Sequence, residues 1–185
     1  KKMKNQIEFY NTPSGYVMCD DGNYTTRLSE SSREVVDDLL DIIRECYIDA
    51  YRALEQCYFK SSKNPRFQKF KMVNRFIRCN CGELDTQKID FIDGNINIEQ
   101  VHCPLRGSGD CQYENVICNP RRTSVLTVRQ LQIAAALAEG LSPQEISDRL
   151  YISIHTVHNT IQAIKVKLNL KNTNHIITWY NNMNK

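Results

Sequence analysis

No apolar run in this chain approaches the ~20 residues of a membrane span, so no segment is expected to cross a bilayer. The start, Lys1-Lys2-Met3-Lys4-Asn5, is basic, but no apolar segment follows it, so no signal peptide is expected. There is no internal repeat and no low-complexity tract. No Ser-His-Asp or Cys-His layout is visible, and the adjacency of His102 and Cys103 says nothing about their distance to other groups in space. An enzyme is therefore not expected. Paired Cys-x-x-Cys motifs, the mark of common zinc ribbons, are also missing. Without an expected span or signal peptide, the expected compartment is the cytoplasm, where thiols stay reduced. Eight cysteines then need a purpose other than disulfides.

At 185 residues and 41% hydrophobic, the chain has room for one large domain or two small ones. The segment Asn119-Pro120-Arg121-Arg122-Thr123-Ser124 reads as a boundary, with a proline, two charges and small polar residues. Residues 1–120 are expected to form one domain, 121–125 a linker and 126–185 a second domain. Residues 121–185 hold eight of the 24 basic and three of the 21 acidic residues, a net of +5; that leaves 1–120 at −2. A basic small domain beside a near-neutral larger one suits a nucleic-acid reader joined to a regulatory module.

The second domain is punctuated by helix signals. Thr127-Val128-Arg129-Gln130 has capping-box spacing, followed by Ile133, Ala134, Leu137 and Ala138 on one face. Gly140 stands where a left-handed cap is wanted, so a first helix spans about 128–139. Ser142-Pro143-Gln144-Glu145 is a second box with proline at the first helical position. Ile146 and Leu150 give that short helix its apolar side. Ser153 caps a third helix that turns Val157, Ile161, Ile164 and Leu168 inward. Its opposite side carries His155, His158, Asn159, Gln162, Lys165 and Lys167. A fourth helix, about 174–182, carries Ile176, Ile177 and Tyr180. Short capped helices with a tight turn before a basic, polar-faced one suit insertion into the major groove of DNA.

This stretch resembles the C-terminal helix-turn-helix domain of LuxR-type transcription regulators. The resemblance covers roughly the last third of the chain. It rests on the three caps, the Gly140-Leu141-Ser142 turn, Glu145-Ile146, and Ser153 followed by Thr156-Val157. Thr173 and Thr160 depart from it, standing where the family usually has Arg and often has His. The resemblance implies that the third helix reads double-stranded DNA. By position, His158, Asn159 and Gln162 would face base edges, where Asn and Gln can pair bidentately with adenine. Thr156, Lys165 and Lys167 would hold phosphates, which fixes register without reading sequence. It also implies a homodimer, formed through the last helix with Ile176, Ile177 and Tyr180, and possible contact with the transcription machinery. Many such proteins carry a receiver domain, but residues 1–120 lack the alternating strand–helix rhythm of that fold.

The first domain reads as mixed. Residues 6–28 suggest short strands broken by Pro13-Ser14-Gly15 and Asp20-Asp21-Gly22-Asn23. Ser31-Ser32-Arg33-Glu34 then predicts the start of a long helix, about 32–59. Val36, Leu40, Ile43, Tyr47, Ala50, Leu54 and Cys57 follow coiled-coil spacing. Val35, Leu39, Ile42 and Cys46 form a second stripe beside them, which favours a core helix. Asn64-Pro65 opens another helix, about 65–77, expected to turn Phe67, Phe70, Val73 and Ile77 to one side. Residues 60–78 hold seven basic residues and no acid. They suit either a partner or DNA surface, or packing beside the acidic helix. Alternating apolar residues around Asp93-Gly94 predict a hairpin over 88–98.

Five cysteines bracket that hairpin within 79–118. Thiolates from loops around a small hairpin can close a tetrahedral zinc site, which would contribute folding energy to a loop-rich segment. Cys103, Cys111 and Cys118 are three candidate ligands. Cys79, just after a helix end, is preferred as the fourth over its alternate, Cys81. An iron–sulfur cluster or free buried thiols are the competing readings. Cys19, Cys46 and Cys57 read as core.

Together these features predict an α+β chain: a mixed N-terminal domain with a Cys-rich 79–118 segment, and a four-helix DNA-binding domain. The expected function is sequence-specific transcription regulation in the cytoplasm, with a structural zinc. A protein-interaction adaptor, or an iron–sulfur redox-sensing regulator, is the alternative.

Overall fold

The structure is a computed structural model and describes residues 6–83, 89–92 and 94–183. The chain divides into two compact units, Lys1–Thr123 and Ser124–Lys185. Its class is α+β: an antiparallel sheet with helices in the first unit, helices alone in the second.

In the first unit, strands β1 (Gln6–Asn11), β2 (Val17–Asp20), β3 (Thr25–Arg27), β4 (Phe91–Ile92) and β5 (Asn95–Ile96) form one sheet in the order β3-β2-β1-β4-β5. Each neighbouring pair is antiparallel. Alternation sets its faces: Ile7, Phe9, Val17 and Cys19 all point into the core. The predicted hairpin is present as β4 and β5, with Phe91 opposite Ile96 and Gly94 at φ +80° in the turn. Asp93 lies outside the described residues.

Two helical expectations are corrected. The single helix over 32–59 is two helices, α1 (Arg33–Cys46) and α2 (Ile48–Cys57), broken at Tyr47 (φ −139°). Distant partners take over the break. The Cys46 carbonyl accepts the Thr123 amide at 2.8 Å instead of the amide four residues on. Tyr47 is buried, its ring 5.5 Å from that of Phe76, and its hydroxyl donates to the Ile96 carbonyl at 3.3 Å. The coiled-coil stripe is core: Val36, Leu40, Ile43, Ala50 and Leu54 are buried within this unit. At the start of α1, Ser32 is the N-cap residue, but its hydroxyl accepts the Ser29 amide rather than an α1 amide.

The next helix, α3 (Pro65–Asn80), is longer than expected and turned differently. Asn64 caps it through Phe67. Met72, Val73, Phe76, Ile77 and Asn80 are its buried residues, whereas Phe67 is exposed and Phe70 half-buried. Of the basic run, Lys69 pairs with Asp37 of α1 at 2.6 Å, Arg66 donates to the Glu30 carbonyl, and Lys71 lies over the Tyr58 ring.

Among the described residues the second unit forms four helices: α4 (Val128–Ala138), α5 (Pro143–Leu150), α6 (Ile154–Leu168) and α7 (Thr173–Met183). Leu126, Leu131, Ile133, Ala134, Ala136, Leu137, Ile146, Val157, Ile161, Ile164 and Ile176 make its core.

Candidate nucleic-acid interface and thiol cluster

The caps read from the sequence set the geometry of the second unit. Thr127 accepts the Gln130 amide while the Gln130 side chain accepts the Thr127 amide, a complete capping box. Ser142 and Glu145 do the same for α5. Bonds from the Ser142 hydroxyl and amide hold the Glu145 carboxyl below the usual carboxylate range. Ser153 caps α6 by accepting the Thr156 amide at 3.0 Å. Gly140, at φ +87°, ends α4 in the left-handed region that a side chain resists.

Three residues, Tyr151 to Ser153, join α5 to α6. Tyr151 is left-handed (φ 52°), and it is 94% exposed. The turn is pinned by Ser147, whose hydroxyl donates to the Ile152 carbonyl at 2.6 Å and whose carbonyl accepts the Ile152 amide. Arg129 donates to the Leu150 carbonyl at 3.1 Å, fastening the end of α5 to α4. Burial lowers the Arg129 pKa.

With Val157, Ile161 and Ile164 buried, the opposite side of α6 faces solvent. Helical spacing of 3.6 residues places His155, Asn159, Gln162 and Val166 in one outward row. His158 and Thr156 are exposed on its flanks. Of the expected base readers, Asn159 and Gln162 are central and His158 is lateral. Among the expected phosphate groups, Lys165 is half-buried, and Lys167 is committed to Gln130 Oε1 at 3.0 Å. Val166, which the sequence reading does not single out, is 81% exposed at the C-terminal end of this row. Its register alone would have found it.

On α7, Ile176 is corrected: it is fully buried in the unit's own core and cannot face a second chain without unfolding. Ile177 and Tyr180 pack against that core and remain partly exposed. The departures at 160 and 173 are accommodated. The Thr160 hydroxyl donates to the Thr156 carbonyl, and Asn172 accepts the His175 amide at the start of α7.

In the first unit, the structure brings Cys79, Cys103, Cys111 and Cys118 to the wall of one cavity of about 380 Å³, together with Arg75, Arg78 and Arg106. Cys79, Cys111 and Cys118 are half-buried and Cys103 is exposed. Arg75 Nη2 donates to Cys111 Sγ at 3.8 Å. Burial raises the Cys79 thiol, and the adjacent Arg75 guanidinium opposes that rise. As placed, no three His, Cys, Asp or Glu side chains among the described residues are gathered closely enough to hold a metal ion. Cys81 lies elsewhere. It is buried and donates to the Asn97 carbonyl, and burial, then Asp90, Glu99 and Glu8, push its thiol well up. Cys19 is a core thiol, pushed by burial to about 12.

A short cross-braced helix, a three-residue turn and a second helix with a free polar face, seated on one apolar core, define a helix-turn-helix domain. Residues 124–180 match the family of bacterial regulatory proteins of the luxR type, GerE. The C-terminal region is thus a luxR-family domain, of the class that binds DNA and regulates transcription. Comparison with curated proteins and with solved structures gave no match. No helix among the described residues is long and apolar enough to cross a membrane.

Proposed function

We propose that this protein is a sequence-specific transcription regulator that reads double-stranded DNA with α6. The observation that carries this reading is the outward row of His155, Asn159, Gln162 and Val166 on a helix held by capped neighbours. Asn159 and Gln162 have the amide geometry that pairs bidentately with adenine in the major groove, and His158 reaches an adjacent base edge. Thr156 and Lys165 would fix the helix on the phosphates, whereas Lys167 is held by Gln130. Two copies meet through the partly exposed side of α7, with Ile177 and Tyr180, and so read two half-sites. The protein acts by binding rather than catalysis, in the cytoplasm, and contact with the transcription machinery follows from that role.

The N-terminal unit is the regulatory part, and a structural zinc held by its thiols belongs to the same proposal. Support comes from the shared cavity wall of Cys79, Cys103, Cys111 and Cys118.

Selection of bound sites from random DNA tests the DNA reading. A defined half-site should emerge, and affinity for it should fall linearly with salt on a log–log plot. Failure to enrich any sequence, with no DNA binding even at low salt, would leave the domain as a protein-interaction module and defeat the proposal.

A further inference from the structure

The cavity of about 380 Å³ in the first unit is walled by three pieces of chain: the C-terminal end of α3, the β1–β2 turn and the loop 101–118. Asn80 clamps two of them together. It is fully buried, and its Nδ2 donates to the carbonyls of Phe76 at 2.9 Å and Ile117 at 2.8 Å. Its Oδ1 accepts the Asn119 amide at 2.9 Å. One side chain thus fastens the loop, on both sides of Cys118, to the last turn of α3. Asn11 ties in the third wall. Its backbone amide donates to the Gly82 carbonyl at 3.0 Å and its Nδ2 to the Arg78 carbonyl at 3.4 Å. The cavity is therefore held open by the fold itself.

Its charge is one-sided. Arg75, Arg78 and Arg106 line it against a single carboxylate, Glu114, an excess of two positive charges. Among the described residues none of these arginines has a carboxylate within ion-pair distance, whereas Arg44 pairs with Asp41 and Lys69 with Asp37 on the outside of the same unit. Arg75 and Arg106 are half-buried, and Arg75 Nε and Arg106 Nη2 are shut from solvent without a hydrogen-bond partner. Cationic N–H groups buried with neither partner nor counter-charge are costly. Guanidinium charge is delocalised, so an anion in the cavity compensates the whole group. Val101, Leu105 and Ile117 add apolar surface to the same wall. The volume falls within the ~300–1,000 Å³ of small-molecule sites.

We propose that this cavity binds a small organic dianion with an apolar body, a phosphate monoester or a dicarboxylate. The guanidinium forks of Arg75, Arg78 and Arg106 take its charge, and Val101, Leu105 and Ile117 take its carbon skeleton. The proposal is independent of the zinc reading, and the two exclude each other: four thiols closed on a metal would fill the space the anion needs. Calling the ligand an effector rests on the first unit being the regulatory part. Its binding does not, and is measured without DNA.

The test is calorimetric titration of the full chain with phenyl phosphate, succinate and inorganic phosphate, above about pH 7, where the phosphate ester is largely a dianion. Phenyl phosphate or succinate should bind saturably, and more tightly than inorganic phosphate. Preference for the first identifies a phosphate ester, preference for the second a dicarboxylate. Arg78→Gln and Arg106→Gln should each weaken binding by about 10–100-fold, the worth of one hydrogen bond to a charged group, with the Tm of the free protein nearly unchanged. Arg106→Lys should recover part of the loss, since it keeps the charge without the fork. The bound dianion should also slow alkylation of Cys103, the exposed thiol of the cavity. A folded wild type that binds neither organic dianion overturns the proposal, and so does affinity unchanged in both Arg78→Gln and Arg106→Gln. Inorganic phosphate bound as tightly as phenyl phosphate overturns the apolar half of the site.

Discussion

The Lys167 ammonium donates to Gln130 Oε1 at 3.0 Å, and that same oxygen accepts the Thr127 amide that opens α4. One side-chain oxygen thus joins the end of α6 to the start of α4. Lys167→Ala should cost about 0.5–1.5 kcal/mol of stability in the C-terminal domain, the usual worth of such a bond. It should leave the salt dependence of DNA binding nearly unchanged. Denaturant unfolding and a salt titration check this together. A full phosphate contact would instead make the log–log slope shallower by about 0.9.

Asn159→Ala and Gln162→Ala should each cost about 1–3 kcal/mol of specific binding and relax preference at one base position. Lys165→Ala should weaken all DNA about equally, since a phosphate contact carries no sequence. Binding titrations on the selected site and on scrambled DNA separate the two effects. An Asn159→Ala protein with its sequence preference intact would show that the outward row is not the reading face.

The C-terminal domain was legible because its helices announce their own ends. Three caps and Gly140 lie within four residues of the groups they satisfy, so local sequence carries the geometry. The N-terminal unit is ordered by distant partners. Nothing near Tyr47 foretells a break; it is the Thr123 amide that takes the Cys46 carbonyl. Likewise α3 offers two apolar stripes, and only the elements packed against it bury Phe76 rather than Phe67. The thiols were legible as loop residues around a hairpin. Asn80 was not, because a polar residue at a helix end has no signature of a clamp reaching Ile117 and Asn119.

The cap of α5 predicts a pH dependence. Bonds from Ser142 hold the folded pKa of Glu145 below its unfolded value. Its contribution is therefore complete above the unfolded value, about 4.3, and is lost as pH falls through the depressed folded value. Glu145→Gln should be less stable than wild type at neutral pH, and the gap in Tm should close as pH drops below about 4. Ser142→Ala should cost about 1 kcal/mol at neutral pH, because it removes the acceptor of the Glu145 amide. A gap between wild type and Glu145→Gln that widens in acid would refute the argument.

Metal removal should divide the chain along its two units. All eight cysteines precede Ser124, so chelation can act directly only on Lys1–Thr123. Stripping zinc should expose residues 103–118 to protease while the α4–α7 helices keep their circular dichroism. Cys111→Ser and Cys118→Ser should each lose the metal. Cys81→Ser should keep it, because Cys81 is buried against the Asn97 carbonyl, apart from the thiol cavity. Elemental analysis of these three variants and of Cys79→Ser, beside the wild type, decides the ligand set. Loss of zinc in Cys81→Ser, with retention in Cys79→Ser, would move the fourth ligand to Cys81 and require α3 to unwind at its end.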